Sequence, residues 1–320
     1  VHAGCAGQPA SSPHRRRRAP MSETVAGLRR LIERANDLQG VVRTMKAVAG
    51  ASIVEFERAT RAVAHYAETV ERGLGAALRA NRQACLDLAR RDRAAAPRNT
   101  TGLVVFGSDQ GLVGAFNDVV AERVLTNHSA VSAASALWVV GERINDRLSD
   151  AGLKADAVFG VPPSVQAVTS LVTQILVASE EARAAGRFTS LHLYWCRPTT
   201  AASYEVTHTR LLPLDAHWVE QVAATRWPTS NLPETPGPQQ QVLRGLIREH
   251  LFASMFRAAA ESLAAEHASR LSAMQRADRN IEDLLTEFTA AYHRVRQDSI
   301  DAELFDVVAG FEATRGRRPR

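Results

Sequence analysis

Lysine is almost absent from this chain: of its 39 basic residues only Lys46 and Lys154 are lysines, and the rest are arginine. Cysteine is scarce too. Cys5, Cys85 and Cys196 are odd in number, widely separated and never in a CxxC pair, so they supply neither a disulfide framework nor a zinc site. A reducing compartment is the simple inference. Aromatics amount to 6%, too few for a core built around large rings. No run approaches the ~20 apolar residues of a membrane span, so any membrane association has to run through partners. Nucleotide and hydrolase signatures are missing: there is no GxxxxGK[ST], no GxGxxG and no GxSxG. His65, His250, His267 and His293 fall on helical stretches without a second His or Cys at ligand spacing, and His192, His208 and His217 have no nucleophile motif nearby. No catalytic, cofactor or metal site is expected.

What the 320 residues do contain is alanine, 45% hydrophobic residues and dispersed charge. That mixture favours long helices whose narrow seams pack closely. The net charge of +5 gathers at the two ends, in Arg15–Arg18 and in the stretch from Arg315 to Arg320. A basic tail without a base-reading motif is weak evidence for a nucleic-acid interface. Residues 1–20 are small, polar and basic, with no apolar centre, and so are no secretory signal. Met21 is the expected start, with Ser22-Glu23-Thr24 as a helix-capping opening. The preceding stretch reads as an over-extended frame, the alternative being a disordered basic arm.

The hydrophobic period divides the remainder. From Leu28 through Leu31, Ala35, Leu38, Val42, Met45, Ala49, Ser52, Phe56, Ala59, Val63 and Tyr66 to Val70 the apolar and small positions step by three and four. This is the seam of a helix packed lengthwise on another, and at 1.5 Å per residue it extends for roughly 60–65 Å. Gly40 and Gly50 lie inside it, as marks of close approach or of flexing. Near the other end Ile281, Leu285, Phe288, Tyr292, Val295, Ser299 and Ala302 form a matching stripe. Before it, Leu251, Met255, Ala259, Leu263, His267 and Leu271 step by four, a drift that signals a change of packing partner. Between the two helices, Leu103–Phe106, Ala136–Val140 and Leu191–Trp195 are short apolar runs alternating with helical stretches, the pattern of βαβ units and a parallel sheet. Tyr204–Leu212 alternates as an edge strand or hairpin arm. The expected organisation is an N-terminal extension (1–20), a coiled-coil helix (21–97), a Rossmann-like α/β domain (98–222), a Pro-rich linker (223–240), a second coiled-coil helix (241–314) and a basic tail (315–320).

The most distinctive loop is Ser108-Asp109-Gln110-Gly111-Leu112-Val113-Gly114-Ala115-Phe116-Asn117, between a strand and a helix. A phosphate could rest on helix-terminal amides there, but the loop holds no lysine and none of the fingerprint chemistry. Glycines allowing a tight turn, with Asn117 as helix cap, are the expected reading.

Three stretches together resemble the gamma subunits of F-type ATP synthases, over nearly all of Met21 to Ala313. Met45-Lys46-Ala47-Val48-Ala49-Gly50-Ala51 is similar to the family's Met-Glu-Met-Val-Ala-Ala-Ser. The loop Ser108–Asn117 is similar to Ser-Asp-Arg-Gly-Leu-Cys-Gly-Gly-hydrophobic-Asn. Glu261–Leu271 with Met274, continuing to Arg296-Gln297-Asp298-Ser299-Ile300-Asp301-Ala302-Glu303-Leu304, is similar to the family's C-terminal helix. The resemblance implies two antiparallel terminal helices inside a hexamer of alpha and beta subunits. It places a Rossmann-like domain near the epsilon subunit and the membrane c-ring, on the cytoplasmic face of the inner membrane. This peripheral, non-catalytic shaft couples proton (or Na⁺) flow to ATP synthesis or hydrolysis. By the same resemblance Met45, Lys46, Arg270, Arg296 and Gln297 belong to the rotor–stator contact and coupling, and Ser108, Asp109, Gly111, Gly114 and Asn117 to a structural loop.

Departures from the family pattern occur at Lys46, where Glu is usual, Gly50 for Ala, Gln110 for Arg, Val113 for Cys, Ala115 for Gly and Asp301 for Thr. They point to a divergent or second-copy synthase. The rival readings are a coiled-coil scaffold with a non-catalytic Rossmann-like domain, a nucleotide-dependent enzyme using the loop, and a basic nucleic-acid binder.

Overall fold

The computed structural model describes residues 24–81, 83, 100–127, 134–200, 203–229, 231, 233–234 and 237–315. The expected N-terminal extension, most of the stretch from 81 to 99 and the basic end after Arg315 lie outside them. Among the described residues six helices and five strands follow one another: α1 (Val25–Ala80), β1 (Thr101–Phe106), α2 (Phe116–Asn127), β2 (Ala134–Val140), α3 (Glu142–Asp150), β3 (Ala157–Phe159), α4 (Val165–Ala184), β4 (Ser190–Thr200), β5 (Ser203–Leu212), α5 (Ala216–Ala224) and α6 (Gln239–Arg315). Two compact units result. One takes in the described residues up to Val42 and those from Ala277 onward; the other runs from Arg43 to Arg276.

Helix α1 starts where its sequence caps it: the Thr24 hydroxyl accepts from the Gly27 amide at 3.1 Å. Its buried seam keeps a seven-residue period through Leu28, Ala35, Val42, Ala49, Phe56, Val63, Val70 and Ala77, with Ala59, Leu74 and Leu78 buried beside it. Of the alternate seam positions Ala59 is buried as expected, but others are not. Leu38 is 59% exposed and Tyr66 42%, because a single facing helix covers a narrower stripe than a full heptad pattern offers. In the first unit α6 is half-buried at Ile281, Leu285, Phe288, Tyr292 and Val295, the expected stripe, whereas Ser299 and Ala302 are exposed. Gln39 donates to Asp278 there at 3.4 Å.

In the second unit the helices run antiparallel. Phe56 stacks on His267, Tyr66 donates to Glu249 and Gly73 lies against Leu246, so numbers rise on one helix as they fall on the other. Gly40 and Gly50 do not mark close approach, since a Cβ at either would meet nothing within 4 Å. The glycine that does is Gly75, where a Cβ would stand 2.4 Å from the Val222 carbonyl oxygen.

The sheet has the order β3-β2-β1-β4-β5. Strands β1 to β4 are parallel and β5 is an antiparallel edge strand on β4. Strand β3, with three residues, is too short to announce itself by alternation. Val104, Phe106, Trp138, Val140, Leu193 and Trp195 point to one face, where α4 and the stretch of α6 from Leu251 to Ala264 cover them. Leu103, Val105, Leu137, Val139, Tyr194 and Cys196 point to the other, under α2 and α3. Helix α6 is thereby enclosed. Every residue from Ala258 to Glu266 is buried, a situation that a run of alanines permits because a backbone can approach on all sides.

Candidate functional site at the helix pair and its supporting loop

The loop after β1 is held by its own polar groups. The Asn117 carboxamide oxygen accepts from the Ser108 amide at 3.0 Å, and its nitrogen donates to the Ser108 hydroxyl at 2.8 Å. Asn117 therefore does not cap the helix as expected; it lies in the first turn of α2 and clamps the end of β1. Asp109 reaches across the loop, its two oxygens accepting from Glu142 N–H at 2.9 Å and Val161 N–H at 2.7 Å. That carboxylate caps α3 and complements its dipole. The left-handed steps fall at Leu112 (φ 64) and Gly114 (φ 60), so Gly114 serves the turn as expected while Gly111 does not supply one. Ser269 of α6 donates to the Val113 carbonyl at 2.6 Å, fastening loop to helix.

Beside this loop a cleft of about 390 Å³ opens between α1 and α6, lined among others by Met45, Val48, Asp109, Glu266, His267 and Arg270. Arg270 donates to Glu266 at 2.6 Å and lies 3.2 Å from the His267 ring nitrogen. Burial pushes the Glu266 carboxyl up to about 7, against the opposing pull of Arg270 and with a smaller push from Asp109. Burial, helped by the Arg270 charge, drives His267 down to about 4, so its ring is neutral on Phe56. A second buried carboxylate sits one turn earlier. Glu261, 5% exposed, accepts from Trp195 Nε1 at 2.7 Å, Arg197 Nε at 3.2 Å and Arg257 Nε at 2.8 Å.

The structure divides the expected contact residues. Met45 and Lys46 are half-buried on α1, and Arg296 and Gln297 are exposed on α6. Arg270 departs from the expectation of an outward-facing position: it is 9% exposed, because the buried Glu266 carboxylate draws its guanidinium inward. Glu261 and Glu266 escaped the sequence reading. Their one signal was two charged residues within a nine-residue run of otherwise small or apolar side chains, an arrangement that a buried run tolerates only if each charge is paired.

A protein-family model described as ATP synthase matches residues 24–314. The ATP synthase gamma chain of Granulibacter bethesdensis is 29% identical over 315 residues, covering 91% of this chain and 99% of that one. The gamma chain of Exiguobacterium sibiricum is 31% identical, over 68% of this chain and 74% of its own length. Among solved structures, a chain of the Euglena gracilis mitochondrial ATP synthase in the OSCP/F1/c-ring assembly aligns with a TM-score of 0.62 at 16% identity, covering 92% of this chain and 96% of its own. A chain of the same organism's synthase rotor aligns with a TM-score of 0.57, covering 86% and 98%. At that identity the structures speak to the fold.

Proposed function

This chain belongs to the ATP synthase family, as a gamma chain of the central stalk of an F-type synthase, and on that premise we propose that it is a non-catalytic shaft whose α1–α6 pair turns inside a hexamer of alpha and beta subunits. Its α/β domain serves the epsilon subunit and the membrane c-ring, on the cytoplasmic face of the inner membrane. Nucleotide chemistry belongs to the hexamer. The observation that carries this reading is the far end of α6. Ile300, Leu304, Phe305, Val307, Val308 and Phe311 are all exposed. Phe305 is 74% exposed and Phe311 65%, more apolar surface than one helix end leaves in water without a covering partner. A ring of apolar loops around that end would cover it without gripping it, since hydrophobic contact is non-directional.

Within that role Met45, Lys46, Arg296 and Gln297 serve the contact with the hexamer. Arg270 acts from beneath the surface, by holding Glu266 and His267 against α1. Exposed arginines meeting acidic loops contribute about 0–1 kcal/mol each, weak enough to steer a turning shaft without stalling it. The test is co-expression of residues Met21–Arg320 with the alpha and beta subunits of the same organism, followed by gel filtration and an ATPase assay. One copy per hexamer and hydrolysis that depends on it are expected. Well-folded components that fail to associate would sink the reading and leave a scaffold with a gamma-like fold.

A further inference from the structure

A second cleft, of about 470 Å³, lies on the far end of the β4–β5 hairpin, between that hairpin, α5 and α6. Its volume falls in the range of small-molecule sites. Three guanidinium groups line it, from Arg197 on β4, Arg210 on β5 and Arg257 on α6, with Trp195 and Trp218 as apolar walls. Arg197 and Arg257 each use Nε–H on the buried Glu261, at 3.2 and 2.8 Å, which fixes both side chains and leaves their terminal nitrogens for another acceptor. Glu71 on α1 lies within electrostatic reach of Arg257. Among the described residues Arg210 makes a long contact of 3.5 Å with the exposed Asp215. Thr207 lies in the lining too, but its hydroxyl is sealed from the open cleft, so the polar contacts on offer there are those of the arginines.

We propose that this cleft binds a small organic anion, a phosphate monoester or carboxylate carried on an aromatic or aliphatic body. The forked donors of arginine match two oxygens of either group at once. One carboxylate beneath the floor anchors two of the cations, so the fork geometry is set before a ligand arrives and little ordering entropy is lost on binding. Arg210 completes the polar end and the Trp218 indole takes the body, Trp195 being buried beneath the Arg197 guanidinium. The site is independent of the shaft role, and a titration of the chain alone tests it.

The probe is phenyl phosphate, titrated into the full chain by calorimetry and by fluorescence of the indoles. Saturable binding at one site is expected. Inorganic phosphate, which lacks the body, and benzyl alcohol, which lacks the charge, should each bind about tenfold more weakly or less. Benzoate distinguishes a carboxylate site from a phosphate site, and tighter binding by either acid satisfies the proposal. The Arg210→Gln substitution, at a side chain 39% exposed, should weaken phenyl phosphate about tenfold, as expected for one lost charge-assisted hydrogen bond. Arg210→Lys keeps the charge but loses the fork and should weaken it severalfold; it decides the matter if the glutamine variant fails to fold. No saturation at millimolar concentration, or parental affinity in either folded Arg210 variant, overturns the proposal. So does a glutamate-rich decapeptide that binds more tightly than phenyl phosphate, because the cleft would then take a protein chain.

Discussion

Replacing Glu261 by glutamine keeps the size of the side chain and removes the charge that three donors share. Trp195 Nε1 and Arg197 Nε both meet Oε2, at 2.7 and 3.2 Å, and an amide oxygen can still accept from them. Arg257 Nε meets Oε1 at 2.8 Å, and there the amide would place a donor against a donor. The loss is one charge-assisted bond outright and the weakening of two, about 2–3 kcal/mol in all. Leucine removes every acceptor and leaves a buried indole N–H unpaired, for about 3–5 kcal/mol. Both arginines are partly exposed, with side chains at 40% and 50%, so water recovers part of their loss and the lower halves of these ranges apply. The assay is urea unfolding followed by tryptophan fluorescence, since Trp195 reports from the site itself. A double-mutant cycle with Trp195→Phe should show a coupling of about 1 kcal/mol or more. Glutamine and leucine variants equal to each other and within about 0.5 kcal/mol of the parent would refute the idea that this carboxylate joins α6 to the sheet.

Asn117→Ala leaves the buried Ser108 amide without its acceptor and should cost about 1–3 kcal/mol; hydrogen exchange at Ser108 should rise well above that of neighbouring β1 amides. His250, whose ring meets Trp218 at a tilt with centroids 4.4 Å apart, is driven by burial down to about 4 from 6.5. The unfolded ring therefore gains a proton between pH 6.5 and 4 that the folded ring refuses, and stability falls as pH drops through that window. A His250→Gln variant should accordingly gain about 2 kcal/mol relative to the parent between pH 7 and 5, measured by denaturant midpoints; an unchanged difference would place the ring in water. Phe305→Ser with Val307→Ser should leave the stability of the isolated chain within about 0.5 kcal/mol, as both side chains are exposed. The same pair should weaken assembly with alpha and beta subunits on gel filtration, and full assembly would remove the main support for a covered helix end.

Much of the architecture was legible because it rests on local period. The seven-residue spacing of Leu28 to Val70 could only belong to a helix packed along another, and the step of four through Leu251 to Leu263 foretold that α6 changes neighbours. The runs Leu103–Phe106, Ala136–Val140 and Leu191–Trp195 became β1, β2 and β4, because short apolar runs between helices bury both faces only in a parallel sheet. Strand β3 was missed, since three residues carry no period. The depth of the seam was misjudged for a related reason. Leu38 and Tyr66 satisfy the spacing, but how wide a stripe is covered depends on the partner.

The candidate site was legible only in outline. Ser108, Asp109 and Asn117 stood out by composition, yet their bonds to Glu142, Val161 and each other join residues up to 52 positions apart, and no local pattern encodes such pairings. The inward turn of Arg270 follows from Glu266 being buried, and Glu266 is buried because α6 lies between α1 and the sheet. By itself the sequence determined which segments are helix or strand, that the two ends of the chain pair, and which family the chain resembles, since these depend on periodicity and short motifs. The tertiary structure alone decided which charges are buried, which carboxylates tie α6 to the sheet and which arginines converge on a cleft, because burial and electrostatics depend on what packs against each side chain from distant parts of the chain.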